Sequence, residues 1–134
     1  MSRDLGQILG ILIIILYFLT SLNYFVKLAN RKLKNQIKKN KTISAWFSAL
    51  MKFIVRNHRL FGMLTIVALL SHAFNQFHFY GISPTGAAAA SVLLLQVGLG
   101  IYGARAKKRG KSWLRLHRSI AGLLFVAIGV HVVL

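Results

Sequence analysis

Cysteine is absent from the 134 residues, proline occurs once, and the single acidic residue is Asp4. Without thiols there is no disulfide framework, no iron–sulfur ligation and no thioether attachment of a cofactor. No Asp or Glu falls in the long apolar runs, so the intramembrane acid that a proton-coupled transporter usually needs is missing. Divalent-metal transport would likewise want carboxylates or thiolates beside histidine. The one proline, Pro84, sits in the turn ISPTG (Ile82 to Gly86), at a position tolerated where a helix begins.

Against one acid stand 18 Lys and Arg, a net charge of +17. Such a charge alone suggests nucleic acid. The apolar fraction of 56% argues against it, because the cations sit in blocks between long uncharged runs, as in a membrane protein. A bilayer core takes roughly 20 helical residues. Four runs are long enough, near 5–28, 60–79, 86–104 and 113–134. The expected fold class is therefore all-α: an integral membrane four-helix bundle forming one domain over residues 1–134. The first run is too long for a signal-peptide core, has a nearly neutral flank and lacks a small-residue cleavage site, so a retained helix is expected. No room is left for a soluble catalytic domain.

The block Lys27 to Lys41 holds seven cations and the loop Arg105 to Arg118 seven more, whereas the connection Asn75 to Thr85 holds none. By the positive-inside rule both basic loops are cytoplasmic and the two termini face outward, in a cytoplasmic membrane of bacterial type. Between the first block and the second span, Ile43 to Val55 places Trp46, Phe47, Leu50, Met51, Phe53 and Ile54 largely on one side of a helix. This stretch is either a short helix in the interface or an extension of the second span.

Five histidines are present: His58, His72, His78, His117 and His131. The first two close HRLFGMLTIVALLSH and the last two close HRSIAGLLFVAIGVH, with thirteen residues between in each. Fourteen steps of about 100° bring each pair within roughly 40° of one helix face, about 21 Å apart. The second and fourth spans run in the same direction. His58 and His117 therefore share one membrane level, and His72 and His131 share the other. Tetrahedral zinc needs its ligands together, and one helix cannot gather ligands so far apart.

Facing imidazoles are what a haem iron takes at its axial positions, and a bundle core is where such a cofactor is built. A porphyrin also needs space. Gly62 and Ala121 stand four residues after the inner histidines, and Ala68 and Ala127 four before the outer ones. Helix contact in membranes selects small residues too. Plain packing is the favoured reading for Gly98, Gly100 and Gly103. Arg59 and Arg118 follow the inner histidines directly, where guanidinium groups suit haem propionates or simply anchor the helices. His78 has no partner at a matching offset and is expected in the outer loop.

The duplicated His-x13-His segments resemble the transmembrane di-haem b-type cytochromes: cytochrome b561-like proteins, ferric reductase-like membrane domains and the haem-bearing bundle of respiratory cytochrome b. The likeness is tight over the two histidine segments and loose over the four-span layout. It implies an inner haem b held by His58 and His117 and an outer one held by His72 and His131. The quinone-site signature of respiratory cytochrome b is missing, as is a flavin or nicotinamide domain. Six-coordinate iron leaves no open metal position, so no catalytic residue is expected. The resulting expectation is electron transfer across the bilayer, with a quinol, a flavoprotein or ferric ion as redox partner, within a homo- or hetero-oligomer. The basic face also suits anionic lipid. From another class, the alternative is a membrane scaffold without haem, its histidines serving helix packing.

Overall fold

The computed structural model describes residues 3–134. Among them are four α-helices and no strand: α1 (Arg3–Lys38), α2 (Lys41–Tyr80), α3 (Pro84–Arg105) and α4 (Lys111–Val133). The all-α, four-helix expectation holds, and every helix is long and apolar enough to cross a membrane. Only 6% to 22% of the most apolar stretch of each helix is buried within the chain. Side chains such as Phe18, Met63, Leu95 and Phe125 lie exposed. Apolar surface on that scale calls for hydrocarbon around it, which marks an integral membrane protein.

Both long helices overrun the expected spans, which corrects two expectations and decides between two alternatives. Lys27 to Lys38 is the last third of α1, not a loop. Its residues, KLANRKLKNQIK, include no Gly or Pro and several strong helix formers, so nothing ends the helix where the apolar run ends. Ile43 to Val55 belongs to the unbroken α2, so it extends the second span and is not a separate interfacial helix. The outer connection shrinks from Asn75–Thr85 to residues 81–83, because α2 continues to Tyr80.

The chain divides into two compact units. The first, Ile8–Ala68, is an antiparallel hairpin of α1 and α2. Its turn is only Lys39 and Asn40, and the Asn40 side chain caps α2 by accepting from the backbone N–H of Thr42 (2.9 Å) and Ile43 (3.2 Å). Val26, Ile54 and Phe61 form its buried core, with Leu19, Leu22 and Met51 packed around them. The hydroxyls of Thr20 and Thr65 donate to the carbonyls of Leu16 and Phe61 one turn back, which satisfies them without water.

The second unit comprises Leu69–Leu134 with the beginning of α1 up to Gln7. Gly81, at φ 79°, ends α2 in the left-handed region that a side chain resists, and its N–H returns to the Phe77 carbonyl. Ser83 then caps α3, its hydroxyl accepting from the Gly86 N–H, and Pro84 follows at the first helical position. α3 and α4 pack along each other. The Trp113 indole N–H donates to the Leu99 carbonyl at 3.0 Å, and the ring occupies the space that a Cβ on Gly103 would take.

Candidate cofactor site

In the second unit α2 and α4 bring His72 and His131 together, with ring centroids 6.4 Å apart and planes at 78°. A five-membered ring with bonds of about 1.35 Å has its atoms about 1.15 Å from the centroid. Two imidazoles bound to one metal in line at about 2.0 Å therefore have centroids about 6.3 Å apart. The observed centroid spacing of 6.4 Å is close to that value.

Ring orientation is set from behind. His72 Nδ1 lies 3.0 Å from the Gly6 carbonyl, which only accepts, so Nδ1 carries the proton and Nε2 the lone pair. His131 Nδ1 lies 3.1 Å from Thr85 Oγ1, which in turn lies 3.1 Å from Ser83 Oγ. Imidazoles that bind metals through one nitrogen are ordinarily held through the other in this way. Gly86 allows the start of α3 this close, because a Cβ there would stand 3.0 Å from His131 Cε1.

His58, in the first unit, repeats the arrangement, with Nδ1 at 3.1 Å from the Thr20 carbonyl. Gly6 and Thr20 are fourteen residues apart on α1, as are His72 and His58 on α2. His117, in the second unit, stacks on Trp113 one turn before it, with centroids 5.3 Å apart at 13°. The Gln96 side-chain amide donates to its Nε2 at 3.4 Å. This contact places the Gln96 side chain of α3 against the ring nitrogen farther from the α4 backbone.

Of the small residues, Gly62 has nothing within 4 Å of where its Cβ would be. Ala68 is buried, and Ala121 and Ala127 are half-buried. Arg59 and Arg118 are exposed, each one residue beyond an inner histidine. His78 departs from expectation: it is on the last turns of α2 rather than in a loop, exposed and stacked on Phe74. Gly98 also has open space beside it, Gly100 lies 3.8 Å from His117 Cε1 at its Cβ position, and Gly103 is the packing glycine under Trp113.

Sequence reasoning missed Gly6, Thr20, Thr85, Gln96 and Asn75. Asn75 is wholly buried one turn beyond His72, and neither its Nδ2 nor its Oδ1 has a hydrogen-bond partner. Among the described residues no three His, Asp or Glu side chains come together as a metal-holding group.

No family model matches the chain, and neither a curated protein nor a solved structure does. The donor set itself supplies the test of fit. His72 and His131, each held at Nδ1 with ring centroids 6.4 Å apart, are a donor pair of the kind that suits axial ligation of a porphyrin iron.

Proposed function

We propose that this chain is a membrane electron-transfer protein holding two b-type haems, the outer by His72 and His131 and the inner by His58 and His117. The observation that carries this is the His72–His131 pair: 6.4 Å between centroids, with both Nδ1 atoms held by Gly6 and Thr85. Haem, when bound, supplies a one-electron carrier whose potential follows its ligands and burial. In this reading Gly6, Thr20 and Thr85 would fix the rings of His72, His58 and His131, the apolar residues between the histidines would keep water away, and Gly62, Ala68, Ala121 and Ala127 would be the small residues beside the ligands. Arg59 and Arg118, each next in sequence to an inner histidine, would pair with propionates of the inner haem. The resemblance to di-haem cytochromes b and the absence of intramembrane carboxylates favour electron transfer over transport.

The proposed orientation puts both basic regions on the cytoplasmic side. A quinol or reduced flavoprotein would supply electrons, and an outer redox protein or ferric ion would take them. The first experiment is the visible spectrum of the purified protein after dithionite, with pyridine extraction to count haem. Sharp b-type bands and about two haems per chain are expected. A colourless protein would leave the scaffold reading in its place.

A further inference from the structure

Three cations of the α1–α2 hairpin are left over once the histidines are accounted for. The contact between His58 Nδ1 and the Thr20 carbonyl fixes the register of the two helices. Six residues from it toward the turn, Val26 of α1 and Lys52 of α2 therefore share one level, with Lys27 about 1.5 Å above them. Arg56, four residues along α2 from Lys52, lies about 6 Å nearer the membrane centre. Arg56, Lys52 and Lys27 thus span about 7.5 Å along the hairpin. The uncharged run of α1 ends at Val26 and that of α2 begins at Leu60, so the edge of the hydrocarbon falls between those levels. A headgroup layer is about 5–8 Å thick on each side of it. The three cations occupy the depth of one such layer.

Their partner is not within the hairpin. No Asp or Glu occurs between Ile8 and Ala68, the whole of that unit. Arg56 and Lys52 are about 160° and 120° round α2 from His58, and Lys27 is about 100° round α1 from Val26, which is buried in the core of the hairpin. All three side chains are exposed, directed out of the helix contact and away from the imidazole. A soluble polyanion would have to enter the headgroup layer to meet Arg56. A phospholipid phosphate is already at that depth, and long cationic side chains reach it with their alkyl stems along the apolar surface.

We propose that Lys27, Lys52 and Arg56 bind the phosphates of anionic phospholipid in the leaflet that the basic end of the hairpin enters, as a site distinct from the general attraction of the other cations. The proposal stands whether or not the histidines hold haem. The test uses the full chain in a non-ionic detergent, offered phosphatidylglycerol and phosphatidylcholine of matched acyl chains, with the lipid retained after gel filtration counted. Phosphatidylglycerol should be kept about tenfold over phosphatidylcholine. Lys27→Gln with Lys52→Gln and Arg56→Gln should bring the two to parity. The charge-matched set around the α3–α4 connection, Lys107→Gln with Lys108→Gln and Lys111→Gln, should keep the preference. Equal retention of the two lipids by the unaltered chain would overturn the proposal, as would equal loss of preference in the two variants, since net charge alone would then be at work. One further measurement on the unaltered chain does not depend on a variant folding. Inorganic phosphate should displace no more phosphatidylglycerol than sodium chloride of equal ionic strength, and greater displacement would assign the cations to a soluble anion instead.

Discussion

A histidine that binds metal through Nε2 needs its Nδ1 proton placed, and here a backbone carbonyl does this for His72 and a side chain for His131. The two are open to mutation differently. Replacing His72 by Ala removes one axial ligand of the outer pair while leaving the Thr20 hold on His58 untouched, so haem content should fall from about two to about one per chain. Equal loss of both haems would sink the proposed pairing. Thr85→Val keeps the shape but removes the hydroxyl beside His131 Nδ1, which accepts from it when that nitrogen carries the proton. The imidazole becomes a poorer donor, the ferric state is held less firmly, and the midpoint potential of one haem should rise. A tenfold change in the reduced-to-oxidised ratio is about 59 mV for one electron. Potentiometric titration reads this separately from haem content, so loss of haem and failure of tuning are distinguishable. The four histidines were legible in the sequence as candidate ligands because a repeat of fourteen is a helical signature. Gly6 and Thr20 were not, since a carbonyl oxygen belongs to every residue and acts only through the neighbour that packing brings. Thr85 was visible only as part of a turn.

At the level of elements, hydropathy located all four helices and misjudged how far two of them run. Apolar content reports where hydrocarbon is, whereas helix propensity and breakers decide where a helix ends, and Lys-rich KLANRKLKNQIK satisfies the second without the first. Asn40 and Gly81 are the true stops, each through a capping geometry. The α3–α4 pair depends on a different local fit, in which the Trp113 ring fills the hollow over Gly103 and donates to Leu99. Gly103→Ala would force the indole out and break that hydrogen bond. A loss of roughly 1–3 kcal/mol is expected, the usual range for overpacking, seen as a lower thermal midpoint in detergent. His117 stacks on the same ring, so Gly103→Ala should also alter the inner haem spectrum more than the outer. Gly98→Ala, with open space at its Cβ position, should leave both unchanged.

For the whole molecule the deciding quantity is the asymmetry of charge. The regions from Lys27 to Arg59 and from Arg105 to Arg118 hold seventeen of the 18 cations, and residues 75–85 between them hold none. Carrying such a block through hydrocarbon is costly, at roughly 2.5–3.5 kcal/mol for each Lys or Arg at the membrane centre by insertion scales. The proposed orientation therefore keeps the hairpin turn and the α3–α4 connection on the side of synthesis and sends the short 81–83 connection across. The absence of cysteine makes this directly testable, because a single introduced thiol is the only one in the chain. Lys108→Cys, Asn35→Cys and Ile82→Cys all lie at exposed positions. A membrane-impermeant maleimide applied to intact cells should label the Ile82 variant alone, and inside-out vesicles should reverse the pattern. Labelling of Ile82 and Lys108 from the same side would break the span count. A clean inversion would instead place the basic hairpin outside and move the proposed electron donor to the opposite face.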